Sequence, residues 1–264
     1  MTKSISEILI PLILDAGKQM KRAHDVEAES AVHAKAGTAN FVTVYDVQIQ
    51  SFLMREIKKA IPDAFFIAEE KDNDASALEH PYCFVIDPID GTTNFIHDTR
   101  HSCVSVAMLS FGEPIFGAVY DPYLDELFHA EKGKGAYLND RPMQVSDRPM
   151  NLALVAYGTS PYYKERYTDA TFALSKKLFL TCADLRRCGS AALDLAHLAA
   201  GRYDVFFECI LSPWDIAAGQ LLITEAGGLI TDMQGKPIDF SVPSSVIAAN
   251  RACYPALLEI TSHA

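Results

Sequence analysis

Apolar residues recur at helical spacing in two stretches near the start of the chain. Ile5, Ile8, Leu9, Leu12, Ala16 and Met20 form one series, and Ile49, Phe52, Leu53 and Ile57 form a second that ends at the breaker pair Pro62-Asp63. Steps of three and four place each series on one helical face, so the chain is expected to open with two amphipathic helices. Between them Ala34-Lys35-Ala36-Gly37-Thr38-Ala39-Asn40 is small and polar with no apolar period. That stretch reads as a mobile loop or hairpin carrying Lys35.

From Phe65 the pattern shortens to β-rich runs: Phe65 to Ala68, Tyr82 to Ile86, Val104 to Leu109, Ile115 to Tyr120 and Glu126 to Ala130. Gly112-Glu113-Pro114, Asp121-Pro122 and Asn139-Asp140 separate several of them as turns, which predicts hairpins and a mostly antiparallel sheet. After about Leu152 strands and helices alternate. Ala153 to Tyr157 and Asp204 to Glu208 read as strands; Tyr163 to Lys177, Ser190 to Ala200, Pro213 to Ala226 and Pro255 to Ser262 read as helices. Such alternation predicts a second sheet layered with helices. The expected organisation is an α+β half over residues 1–150 and an α/β half over residues 151–264, packed as one unit without a linker.

The composition, 49% hydrophobic and 22% charged over 264 residues, suits a globular chain with a sizeable core. The formal charge is −11, so a general tether for nucleic acid is not expected. No apolar run is long enough for a membrane span. The six cysteines lack CxxC spacing and read as reduced thiols of a cytoplasmic protein.

The chemistry concentrates in Val85-Ile86-Asp87-Pro88-Ile89-Asp90-Gly91-Thr92-Thr93-Asn94, an apolar strand running into two carboxylates. Pro88 fixes its own φ and holds Asp87 extended, and a sharp turn before Asp90 is expected to aim both acids at one point. Gly91 and Thr92 would open a helix with free N–H groups, suited to a phosphate. Paired carboxylates repel, and the repulsion is relieved by a shared proton or a cation. Hard oxygen ligands beside a phosphate point to Mg2+. Glu69 and Glu70 end another apolar strand, and Asp215 stands at a helix start behind the only Trp, Trp214. Taken singly, Asp215 also reads as a helix cap, the glutamates as a solvated strand end and Asp87-Pro88 as a turn.

Val85 to Asn94 resembles the first signature of the inositol monophosphatase family, and Trp214-Asp215-Ile216-Ala217-Ala218-Gly219 resembles its second. Lys35, Thr43 to Asp46, Ala68-Glu69-Glu70, Gly189-Ser190-Ala191-Ala192 and Thr224-Glu225-Ala226-Gly227-Gly228 match intervening landmarks, so the likeness spans nearly the whole chain. The resemblance implies a layered αβαβα sandwich, a dimer and two or three Mg2+ ions. It places one ion on Glu69, Asp87 and the Ile89 carbonyl, and a second on Asp87, Asp90 and Asp215. A third, weaker ion would lie under the Lys35 loop. Glu69 and Thr92 would orient the attacking water, with Asp46 fixing Thr92. Gly91 and Thr92 would hold phosphate oxygens, and Asp90, Thr159, Ala191 and Glu208 would face the alcohol.

Thr93-Asn94 after Gly91-Thr92 favours an inositol monophosphate over relatives acting on nucleotide 3′-phosphates. Fructose 1,6-bisphosphate, histidinol phosphate and 3′-phosphoadenosine phosphates stay open as substrates. A regulatory or interaction protein and a sugar-phosphate binding module are the non-enzymatic readings. Asn40 and Phe84 depart from residues common in relatives. His97 and His101 are expected to be solvated loop histidines, and Tyr162, Tyr163 and Tyr167 helix packing or rim.

Overall fold

The computed structural model describes residues 4–27, 32–34 and 41–262. Lys35 and Asn40, and the loop reading made of them, lie outside the described residues.

The two predicted opening helices are α1 (Ile5–Glu27) and α2 (Val44–Ala60), flanking the short antiparallel pair β1 (Val32–Ala34) and β2 (Phe41–Thr43). The first large sheet is built from β3 (Phe65–Ala68), β4 (Cys83–Asp90), β5 (Cys103–Ser110), β6 (Glu113–Asp121), β7 (Glu126–Glu131), β8 (Ala136–Leu138) and β9 (Arg141–Met143). Its spatial order follows the chain, and only the β3–β4 pair is parallel. One-turn connections force antiparallel neighbours from β5 onward, whereas β3 reaches β4 through a longer crossover. A five-residue helix, α3 (Thr92–Ile96), follows β4.

The second sheet contains β10 (Leu154–Tyr157), β11 (Asp184–Arg186), β12 (Val205–Leu211), β13 (Leu229–Thr231) and β14 (Ser244–Ala249), in the order β11-β10-β12-β14-β13. The helices α4 (Lys164–Phe179), α5 (Ala191–Ala199), α6 (Pro213–Glu225) and α7 (Tyr254–Ser262) alternate with these strands.

Side-chain alternation along each strand sorts the core into three slabs. Phe84, Ile86, Val104, Val106 and Phe116 point towards α1 and α2 and meet Leu9, Ile13, Met20, Ile49 and Leu53. Their strand neighbours Cys83, Val85, Ala107, Val119 and Phe128 point the other way, onto α5 and α6. The far side of those helices is covered by Phe206, Val246 and Ala248 of the second sheet. Val155, Val205, Phe207 and Ile247 face outward again, against Leu174, Leu178 and Leu257 of α4 and α7. The layers therefore run helix, sheet, helix, sheet, helix. Both faces of both sheets are buried, which explains why β4 is an unbroken apolar run rather than an alternating one.

The middle layer joins the sheets, and α6 is apolar on every side because a sheet lies on each flank. Small residues set the spacing there. A Cβ on Gly117 of β6 would come within 2.9 Å of the Ala218 carbonyl oxygen and 3.1 Å of its Cα. Backbone on both sides leaves no flexible atom to yield. Gly117→Ala should therefore cost about 1–3 kcal/mol of stability, read as a lower denaturant midpoint; an unchanged midpoint would refute the packing argument.

Candidate active site

The carboxylates come together through an irregularity in β4. Up to Asp87 the strand pairs with β5 residue for residue, Ile86 opposite Val106 and Asp87 opposite Ser105; then Asp90 falls opposite Cys103. The strand advances three residues while its partner advances two, which is a β-bulge. Pro88 has no N–H to offer the ladder, so an extra residue is accommodated there. In a regular strand residues three apart point to opposite faces. The bulge resets that alternation and lets Asp87 and Asp90 share a side. The sharp turn expected before Asp90 is thus a bulge, and the strand runs on through Asp90 before Gly91 turns the chain at φ +86°.

Three elements deliver the acids. Asp87 and Asp90 come from β4, Glu69 follows the end of β3, and Asp215 lies in the first turn of α6. One carboxylate oxygen from each of Asp87, Asp90 and Asp215 lies within 4.8 Å of the others. Main-chain donors anchor each acid. The Ile89 N–H donates to Asp87 at 3.0 Å, the Ala192 N–H to Asp90 at 2.7 Å and the Ser212 N–H to Asp215 at 2.7 Å. The Ser190 hydroxyl, at the N-cap of α5, also donates to Asp90 at 2.5 Å. Asp215 is thus a helix-capping side chain, as its simpler reading supposed, and a member of the cluster as well.

Burial pushes the carboxyl of Asp87 well above the usual range, and the next largest influences are four more acids: Glu69, Asp90, Asp215 and Asp46. Burial raises Asp90 too, against the pull of its Ser190 and Ala192 donors. Asp215 is raised first by desolvation and then by Asp90 and Glu69. Buried anions whose main neighbours are other anions call for a cation. A hard, oxygen-only donor set of this kind fits a divalent metal ion.

The cluster floors a cleft of about 920 Å³. Of the sequence-selected residues, Glu69, Asp87, Ile89, Asp90, Gly91, Thr92, Thr159, Ala191 and Glu208 line it together with Asp215. Asp46 is buried behind Thr92, whose hydroxyl lies 3.4 Å from the Asp46 carboxylate and 3.1 Å from the Ile89 carbonyl. Glu208, midway along β12, accepts from the Ser160 N–H at 2.8 Å. Burial lifts its carboxyl from 4.5 to about 7. A Cβ on Gly158 would overlap the Glu208 carboxylate, so the backbone there is shaped around that acid.

Several lining residues escaped the sequence reading. Arg187 donates to the Thr159 hydroxyl from Nε at 3.2 Å and from Nη2 at 2.9 Å, and with Lys164 it brings positive charge to the cleft. Asp194 is 1% exposed and reaches the lining from α5. Its signal was present as a lone acid inside Ala191-Ala192-Leu193-Asp194-Leu195. His97 is exposed on the lining, as a solvated loop histidine should be. His101 departs from that expectation: its ring is largely buried, which lowers its pKa.

The chain belongs to the inositol monophosphatase family, whose sequence model matches residues 1–264. It is 40% identical over 238 residues to the protein called Nus factor SuhB of Escherichia coli strain K12, covering 89% of this chain and 88% of that one. It is 35% identical over 260 residues to the inositol-1-monophosphatase of Rhizobium meliloti strain 1021, covering 97% and 96%. The crystal structure of extragenic suppressor protein suhB from Bartonella henselae has the same fold, with a TM-score of 0.90, 33% identity and 98% of both chains covered.

The raised carboxyls make a prediction about stability. A folded state that holds protons which the unfolded chain has released is stabilised at low pH and loses that stability as pH rises through the folded values, from 4.5 to about 7 for Glu208. In chelator the unfolding midpoint should fall between about pH 5 and about pH 8, and Mg2+ should restore more of it at the higher pH. Equal stabilisation by Mg2+ at both values would rule out cation binding at the raised carboxyls.

Proposed function

We propose that this protein is a Mg2+-dependent phosphomonoesterase acting on the monophosphate of a small polyol, inositol monophosphate foremost. The observation carrying the reading is the convergence of Asp87, Asp90 and Asp215 within 4.8 Å, on the floor of a cleft with room for a sugar phosphate. Glu69, Asp87 and the Ile89 carbonyl would hold one Mg2+; Asp87, Asp90 and Asp215 would hold a second, and a third would be more weakly held. When bound, the ions supply Lewis-acid polarisation of the phosphoryl group and an acidified water.

The chain's own residues orient the reactants. Glu69 and the Thr92 hydroxyl would direct the attacking water, and Asp46 would hold Thr92 in place. The Gly91 and Thr92 N–H groups would receive phosphate oxygens as charge builds on them. Water adds to phosphorus while the bond to the alcohol oxygen breaks, and the alcohol leaves with a proton. Asp90, Thr159, the Ala191 backbone and Glu208 would face its hydroxyls. With its carboxyl raised to about 7, Glu208 can donate as well as accept a hydrogen bond near neutral pH. The reading includes a cytoplasmic homodimer; no helix among the described residues is long and apolar enough to cross a membrane.

The second reading, a regulatory or interaction protein on the same fold, is favoured by the name Nus factor carried by the Escherichia coli relative. Phosphate release separates the two. Inositol 1-phosphate, fructose 1,6-bisphosphate, histidinol phosphate and 3′-phosphoadenosine 5′-phosphate, each assayed with Mg2+ and with chelator, should give chelator-sensitive release led by inositol 1-phosphate. Asp90→Asn and Asp215→Asn should each lower turnover about a hundredfold or more. Release by either variant at the parent rate would sink the metal assignment, and no release from any substrate would favour the regulatory reading. Gly158→Ala, which displaces Glu208, should raise KM for inositol 1-phosphate several-fold with a smaller change in kcat; unchanged kinetics would remove Glu208 from the alcohol subsite.

A further inference from the structure

At the cleft wall a second cluster of metal-ligating side chains is built from different elements. His101 precedes β5, Cys188 follows β11, and Asp194 is in α5; one ligand atom from each lies within 4.8 Å of the other two. Two side-chain atoms of these residues are buried and unsatisfied. His101 Nε2 and Asp194 Oδ1 have no hydrogen-bond partner, and Asp194 as a whole is 1% exposed. Leaving a buried polar atom without a partner costs about 1–3 kcal/mol, and more when it is charged. The surrounding backbone is held firmly. The Asn94 side-chain amide donates both to the His101 carbonyl at 2.8 Å and to the Cys188 carbonyl at 2.9 Å, tying two of the three contributing segments together.

We propose that His101, Cys188 and Asp194 form a binding site for a borderline transition-metal ion, Zn2+ foremost, separate from the carboxylate cluster of the cleft. The donor set decides the class of ion. One sulfur, one imidazole nitrogen and one carboxylate oxygen match Zn2+, whereas Mg2+ and Ca2+ take oxygen. Geometry agrees, since ligands held at about 2.0–2.3 Å by a tetrahedral ion lie roughly 3.5 Å from one another, inside the 4.8 Å limit of the group. Charge agrees as well. The Cys188 thiol, and the Asp194 carboxyl where it carries a proton, release their protons to solvent on binding, and thiolate and carboxylate together then neutralise a divalent ion around a neutral imidazole. The Tyr203 hydroxyl, 3.4 Å from the Cys188 sulfur, or a water would complete the coordination.

The site has a place in the architecture. Cys188 and Asp194 bracket Ser190 and Ala192, which both donate to Asp90. An ion linking them to His101 braces the segment that holds Asp90, making its ligands positioning residues for the cleft.

The inference does not depend on the hydrolytic reading, and its test needs no turnover. Co2+ is titrated into the protein kept saturated with Mg2+, and thiolate-to-cobalt charge-transfer absorption is recorded. One equivalent should give the band, Zn2+ should displace it, and Cys188→Ser should abolish it. Asp194→Asn and His101→Gln should weaken Co2+ binding about tenfold or more. These two variants decide the matter if Cys188→Ser fails to fold. Because the Cys103 sulfur lies 3.9 Å from Asp90, Cys103→Ser is the control. A band lost in Cys103→Ser and kept in Cys188→Ser would put the cobalt in the carboxylate cluster and overturn the proposal. So would the absence of any charge-transfer band.

Discussion

The arrangement depends on the mutual repulsion of buried carboxylates. Asp87, Asp90 and Asp215 sit within 4.8 Å in a desolvated corner, and unaided they would drive apart the strand and helix that carry them. What opposes this is main-chain hydrogen bonding at element ends. Ser212 N–H and Ala192 N–H are first-turn donors of α6 and α5, groups that a helix leaves without internal partners. Each carboxylate therefore satisfies a backbone requirement while being held in a position that its charge disfavours. The positive ends of both helices point at the cluster and add to the hold.

This constraint also explains the layering. Both helices belong to the middle slab, sandwiched between the two sheets, so their N-termini cannot move without repacking Leu193, Leu195, Ile216 and Leu222 against Val85, Phe128 and Phe206. Close-packed interiors resist such movement. Glycine makes the approach possible: Gly219 of α6 leaves no room for a Cβ beside Leu195, and Gly91 brings its own backbone close to the His101 carbonyl and Ser190. The cluster is thus located by packing and only fine-tuned by its own hydrogen bonds.

Much of this was legible in the sequence. The apolar series of α1 and α2, the hairpin strands of the first sheet and the helices after residue 152 were readable from period and turn residues, Asp87, Asp90 and Glu69 from acids at the ends of apolar runs, and Asp215 from an acid at a helix start. β14 was not, although it pairs with both β12 and β13. Val-Pro-Ser-Ser before Val246 looks like a loop, and burial between two strands overrides that local preference. The short strands β8, β9, β11 and β13 carry too few residues for a period to show. The bulge could not be read at all, because pairing register is a property of two strands and Pro88 alone is equally consistent with a turn. Arg187 was missed because a cation in a polar loop has no pattern, and only the fold turns it towards Thr159.

A chain with a formal charge of −11 and acids on the floor of its cleft is a poor receptor for a phosphate dianion. Coulomb repulsion from four carboxylates would exclude such a ligand unless positive charge arrived with it or before it. Arg187 and Lys164 line the cleft, yet Arg187 is engaged by Thr159 and already offsets the charge of Glu208 and Asp194. On the proposed reading, divalent cations are then required for substrate to enter as well as for the bond to break. The same acids that destabilise the metal-free fold become the source of selectivity, because only a ligand able to share cations with them can lie against the floor. An uncharged polyol has no such claim on the site. On the same reading the alcohol is expected to leave ahead of phosphate.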